Sequence, residues 1–166
     1  MLLSMQDNFR LNDQISLDPS LSGRIAGDHH ELFVRIYYED TDFSGVVYYA
    51  NYLRFFERGR SEYMRLIGVH HHQLAVLEEP LAFAVSTINI RYLSPARIDD
   101  LVCVKSRLVA ARGASFTLDQ WVERDGQVLA EAQVQVVCID LKGHPRRMPK
   151  DLQSAIKAHV MGENTL

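Results

Sequence analysis

Two carboxylates, Asp40 and Asp42, stand in the polar run DTDFSG, and a long stretch of periodic aromatic and basic residues follows at once. An aspartate with an ordinary pKa of about 3.9 is ionised at neutral pH. It can attack an electrophilic carbonyl, or take a proton from water, without an activating base. A helix entrance leaves N–H donors unpaired and carries roughly half a unit of positive charge. A carboxylate and such donors on either side of a Gly-containing turn suit a reaction that builds negative charge on an oxygen. Local features fit a blander role equally well, because Asp readily bonds neighbouring backbone N–H groups in turns. Asp42 precedes Tyr49 by seven residues, too far to cap a helix that starts near Tyr49. Asp40 reads as a turn former.

The elements that must hold these residues follow from periodicity. ELFVRIYYE puts Leu32, Val34, Ile36 and Tyr38 on one side of an extended segment, and Gly45 supplies the turn after it. Tyr49, Tyr52, Phe56, Tyr63 and Ile67 then recur at helical steps, opposite Arg54, Arg58, Ser61 and Arg65. This predicts one amphipathic helix of about five turns, ended at Gly68. Gly59 falls on its apolar stripe, which predicts close approach to a sheet. A short helix is expected over 70–77. Four extended runs follow, roughly 81–92, 100–111, 114–124 and 127–140, the last two joined by Asp125-Gly126 in a tight turn. Val102, Val104, Leu108 and Ala110 share one face, as do Val128, Ala130, Ala132, Val134 and Val136. Strands this long must curl around the single long helix. A terminal helix is expected over 150–160, and residues 1–30, without sustained period, read as a flexible tail.

Composition narrows the function. The chain has 166 residues, 47% of them hydrophobic, and a net charge of -3, which gives no global attraction to nucleic acid or to an anionic membrane. Its apolar runs are far short of the roughly 20 residues of a membrane span, and its start does not make a signal peptide, so a cytoplasmic protein is expected. Cys103 and Cys138 lie apart in apolar runs and read as reduced core thiols. The run His70-His71-His72 lacks HxxxH spacing, so no metal is expected. Glu57 reads as a partner of Arg54 or Arg60 on the helix surface, and Tyr63 and Trp121 as packing residues.

The stretch YYEDTDFSGVVYYANYLRFFERGRSEYM, followed in order by RYLSPARIDD, ARGASF and EAQVQVVCID, resembles the hot-dog-fold thioesterases of the 4-hydroxybenzoyl-CoA thioesterase family, and especially their Tol-Pal-associated acyl-CoA thioesterase branch. The likeness runs from about Phe33 to Pro149. It implies an α+β hot-dog fold, a curved antiparallel five-stranded sheet wrapped around one long central helix. The domain would cover 31–149, between the tail of 1–30 and a terminal helix and tail over 150–166. It also implies hydrolysis of acyl-CoA, with acyl-carrier-protein thioesters as further substrates and no cofactor. By the same resemblance Asp42 is the catalytic carboxylate, the backbone N–H of Tyr49 is an oxyanion donor, and Arg112, with Ser115 nearby, meets the coenzyme A phosphates. Subunits of this fold join sheets, so a homodimer or homotetramer with sites at the interface is expected. Many members of the branch carry His where this chain has Tyr49, a difference that leaves a backbone donor untouched.

Two other function classes fit the sequence less well. A hot-dog dehydratase would want a catalytic His paired with an acid, and no such signature is present. A non-catalytic acyl-thioester-binding or adaptor module is the alternative, since fold does not fix function. Asp42 together with Gly45 favours catalysis.

Overall fold

The computed structural model describes residues 19–160. In chain order the elements are α1 (Pro19–Ser22), β1 (Arg24–Ala26), β2 (His29–Arg35), a 3-10 turn (Tyr38–Asp40), α2 (Asn51–Leu66), α3 (His71–Ala75), β3 (Leu81–Tyr92), β4 (Leu101–Arg112), β5 (Ser115–Arg124), β6 (Gln127–Asp140) and α4 (Lys150–Lys157). The strands form one antiparallel sheet in the order β1-β2-β4-β5-β6-β3. Its inner face closes over α2, which is the hot-dog arrangement. No helix among the described residues is long and apolar enough to cross a membrane.

The core follows from two periodicities meeting. Helix α2 buries Tyr52, Phe55, Phe56, Gly59, Tyr63 and Met64. Opposite them, alternate strand residues such as Val102, Val104, Leu118, Val122 and Val134 are fully buried. At the centre lies Gly59: a Cβ there would meet Val104 Cγ1 at 2.9 Å and Ser106 Oγ at 3.1 Å. This is the close approach that a glycine on an apolar stripe predicts. Gln120 on β5 fastens the same crossing. Its amide nitrogen donates to Phe56 C=O (2.9 Å) and Ser106 Oγ (2.7 Å), and its oxygen accepts from Arg60 (2.9 Å). Gly59→Ala gains about 1 kcal/mol of helix propensity but pushes on a stiff, buried valine, and overpacking costs about 1–3 kcal/mol. A lowered urea midpoint is the expected net result, and a raised midpoint would refute the packing argument.

Five expectations need correction. The sheet has six strands rather than five, because three residues, Arg24–Ala26, pair with His29–Glu31. The tail expected over 1–30 therefore overlaps ordered elements from Pro19 onward, while residues 1–18 lie outside the described residues. His30 is fully buried there, its Nε2 donating to Ser22 C=O at 2.7 Å and its ring stacked on Tyr63 at 5.4 Å. Helix α2 begins at Asn51, two residues later than expected, since Tyr49 and Ala50 form the turn that leads into it. In β4 the register shifts between Leu108 and Ala110, so Ala111 rather than Ala110 takes the inward position. Glu57 pairs with neither Arg54 nor Arg60, and Arg60 bonds the Gln120 amide instead. Helix α4 lies within the segment expected for it, and residues 161–166 lie outside the described residues. Both cysteines are buried, and burial pushes the Cys103 thiol up to about 11.

Candidate active site

The chain from Asp40 to Tyr48 doubles back as a small antiparallel ribbon. Asp42 N–H donates to Val46 C=O (2.9 Å), Tyr48 N–H to Asp40 C=O (2.9 Å), and Gly45 N–H to Asp42 C=O (3.0 Å). Gly45 takes the tip with φ +76°, a conformation that disfavours side chains. Val47 is buried and donates to Ala96 C=O (2.8 Å), which docks the ribbon on the segment between β3 and β4. The Tyr52 hydroxyl accepts the Ala96 N–H (3.2 Å), so the same segment is held by α2 as well.

Asp42 itself is exposed. Its Oδ1 accepts the Ser44 N–H (2.8 Å) and the Ser44 hydroxyl, while Oδ2 has no bond among the described residues. One oxygen anchors the side chain and the other is free. Turn former and reactive group are therefore not rival roles here. The Ser44 hydroxyl, followed by its N–H, holds the Asp42 carboxyl below the ordinary carboxylate range. A depressed pKa keeps the ionised form as pH falls, so Ser44→Ala should move the acid limb of the kcat/KM profile to higher pH. An unmoved limb would mean the hydroxyl does not tune this carboxylate. Asp40, read as a turn former, is buried, and its Oδ2 accepts the Tyr37 N–H (2.8 Å).

Tyr49 sits at the second position of the turn that Asn51 N–H closes on Tyr48 C=O (2.8 Å). Among the described residues its own N–H has no backbone acceptor. Two side chains that sequence reasoning missed hold this turn. Asn51, buried at the start of α2, donates from Nδ2 to Asp40 C=O (2.8 Å) and so ties the ribbon that carries Asp42 to the helix entrance. Tyr92, at the end of β3, donates its hydroxyl to Tyr49 C=O (3.1 Å) and packs edge-on against the Tyr49 and Tyr52 rings. Neither lies in a local pattern that sequence spacing could single out, although Asn51 falls within the quoted motif.

Arg112 and Ser115 are elsewhere. They face each other across the β4–β5 hairpin, whereas the ribbon adjoins the opposite end of β4, where Leu101 pairs with Arg35. Eleven residue steps separate Leu101 from Arg112, about 36 Å at 3.3 Å per residue. A single chain thus carries Asp42 and Tyr49 on one ribbon and the turn that follows it, and leaves Arg112 and Ser115 at the far end of the sheet. Among the described residues no cluster of His, Cys, Asp and Glu could hold a metal ion. A cavity of about 480 Å³ on the sheet near Trp121 is flanked by the ion pairs Arg91–Glu131 (2.8 Å) and Arg107–Asp119 (3.2 Å). Its charges are already matched within the chain.

Several large apolar side chains of the ribbon, the turn and the segment after β3 are exposed. Tyr38, Phe43, Tyr49 and Leu93 are all more than 45% exposed, an apolar rim that one chain leaves uncovered.

A long helix wrapped by an antiparallel sheet defines the fold, and likeness to known proteins gives the family. The chain belongs to the thioesterase-like superfamily, whose model matches residues 36–156. It is 43% identical over 128 residues to the acyl-CoA thioester hydrolase YbgC of Escherichia coli O6:H1, a match covering 75% of this chain and 92% of that protein. It is likewise 43% identical over 123 residues to the acyl-CoA thioesterase YbgC of Haemophilus influenzae, covering 74% and 90%. Among solved structures, a probable thioesterase from Bartonella henselae superposes with a TM-score of 0.70 at 43% identity, covering 73% of this chain and 99% of that one.

Proposed function

We propose that this protein is an acyl-CoA thioesterase in which Asp42 supplies the carboxylate and the Tyr49 N–H stabilises the oxyanion. The observation that carries the reading is the anchored Asp42 with one free oxygen, on a ribbon tied through Asp40 C=O to the turn that offers the unpaired N–H. The free oxygen can attack the thioester carbon, expelling the coenzyme A thiolate and leaving a mixed anhydride that water opens. It can instead take a proton from a water that makes the same attack. Both routes put negative charge on the carbonyl oxygen, where an N–H donor at a helix entrance lowers the barrier. The named relatives, 43% identical over most of their length, support the substrate class.

The second half of the site comes from a second copy. β3 is a twelve-residue edge strand with one side unpaired, a natural template for pairing. Its Tyr92 end adjoins Tyr49, and its Ala84 end lies beside Val137, which also pairs with Ser115. Two β3 edges joined antiparallel about a two-fold axis therefore set the Asp42 end of one copy beside the Arg112–Ser115 end of the other. That arrangement covers the aromatic rim and gives coenzyme A phosphates a guanidinium to meet. Acyl-carrier-protein thioesters, the Tol-Pal-associated branch and a cytoplasmic location belong to the same reading, supported by the resemblance of the motif to that branch. Thiol release from acyl-CoAs by the purified chain tests it: turnover is expected, and its absence across a chain-length series would leave the binding-module alternative.

A further inference from the structure

A second cavity, of about 280 Å³, opens between the later turns of α2 and the β3 side of the sheet. Met64, Phe83, Phe116 and Val136 make its apolar part, and Glu57 and Arg60 are among its polar lining. Arg60 is the unusual member. Arg24, Arg65, Arg91, Arg107, Arg124 and Arg146 each contact a carboxylate within the chain, and the other described arginines without such a contact, Arg35, Arg54, Arg58, Arg97, Arg112 and Arg147, are exposed to water. Among the described residues Arg60 contacts none. Its one bond goes to the neutral Gln120 oxygen at 2.9 Å, and that amide's nitrogen is already committed to Phe56 C=O and Ser106 Oγ. Glu57, one turn earlier, is exposed and acts on it only as a more distant charge.

A guanidinium carries five donors and stays protonated. Taken partly out of water with no counter-ion it is costly to hold, and an acceptor brought to it beside apolar walls gains more than it would in water. Burial accordingly pulls the Arg60 pKa down from its ordinary value. The cavity is therefore polarised, with apolar side chains along its walls and unspent positive donors at one end.

Helix geometry connects it to the site. Leu53, Glu57, Ser61 and Met64 follow one another at three- and four-residue steps, a stripe along one face of α2, and Leu53 and Glu57 at its start are exposed. Arg60 lies nine residues beyond Asn51, about 14 Å along the axis at 1.5 Å per residue. A group held at the helix entrance by its thioester carbonyl can extend along this stripe into the cavity.

We infer that this cavity receives the far end of the acyl group, and that Arg60 selects acyl chains carrying a carboxylate there over plain alkyl chains of the same length. The inference rests on the thioesterase reading. Plain chains bury their ends against Phe83 and Val136 but leave the guanidinium unmatched, whereas a terminal carboxylate satisfies it with charge-assisted hydrogen bonds. A site with an unmet polar group discriminates more sharply than one that differs only by apolar area.

The test compares kcat/KM for adipoyl-CoA against hexanoyl-CoA, and for sebacoyl-CoA against decanoyl-CoA, in the wild type, Arg60→Met and Arg60→Lys. In at least one pair the wild type is expected to favour the carboxylate-bearing chain, with a ratio about tenfold or more above that of Arg60→Met. Arg60→Met should still hydrolyse the plain chains, and Arg60→Lys should retain part of the preference. A ratio that Arg60→Met leaves within about twofold overturns the inference. If Arg60→Met does not fold, the wild type decides: plain chains favoured in both pairs overturn it, and the carboxylate-bearing chain favoured about tenfold supports it. An enzyme that hydrolyses plain chains while failing this test sinks the Arg60 role alone, whereas a wild type inactive on all four substrates sinks the thioesterase reading beneath it.

Discussion

Tyr49→Pro is expected to lose roughly 100- to 1000-fold in turnover while Tyr49→Phe loses less than about tenfold. Removing one oxyanion donor typically costs that larger amount, and proline removes the donor with little local damage. Tyr49 is the second residue of the turn closed by Asn51 N–H on Tyr48 C=O, a position that proline favours, and its own N–H serves no backbone acceptor among the described residues. Phenylalanine keeps the N–H and the ring that packs on Tyr48 and Tyr92, and removes only the hydroxyl. Proline also loses that ring, so Tyr49→Ala is the control, since it lacks the ring and retains the donor. Turnover on one acyl-CoA should therefore fall far more in the proline variant than in the alanine variant. A severely impaired Tyr49→Phe beside an active Tyr49→Pro would move the oxyanion role from the backbone to the phenol.

Much of this architecture can be read from residue order alone, for identifiable physical reasons. The runs Leu81–Tyr92 and Gln127–Asp140 coincide with the observed strands because alternation continues to their ends and breaks at Pro80, Asp125-Gly126 and Leu141. Gly59 announces the helix–sheet contact because nothing else explains a glycine on an apolar stripe. What escapes is set by tertiary contact. His30 is buried by Ser22 and Tyr63 rather than by any period of its own strand, so β1 and the order before Glu31 cannot be inferred. The aromatic spacing of Tyr49 and Tyr52 runs through a turn that imitates a helix, which shifts the apparent start of α2.

The site divides in the same way. Asp42, Gly45 and Tyr49 share one continuous motif, so their proximity follows from the chain. Tyr92 reaches Tyr49 across 43 positions and is invisible to spacing. Ser44 lies inside the motif, yet its hold on the carboxylate depends on the turn's conformation. Arg112 and Ser115 show the opposite limit: a local likeness names them, but no sequence pattern places them relative to Asp42. A strand of twelve residues separates them from Asp42 within one copy.

Asp42→Asn is expected to keep the fold and lose at least about a thousandfold in kcat, the upper range for a single acid–base group. The asparagine oxygen can still accept the Ser44 N–H and hydroxyl, so the ribbon keeps its anchor. Asp42 is exposed and carries no packing that the amide would disturb. What goes is the negative charge, and with it both the nucleophile and the base, while the Tyr49 donor and the acyl path stay in place. KM should change little, because the loss falls on the chemical step. The decisive measurement is thiol release from one acyl-CoA by the wild type and Asp42→Asn in parallel, with the unfolding midpoint of each. The account predicts turnover by the wild type, a loss of about a thousandfold or more in the variant, and matching midpoints; a folded Asp42→Asn enzyme within about tenfold of the wild type would contradict it.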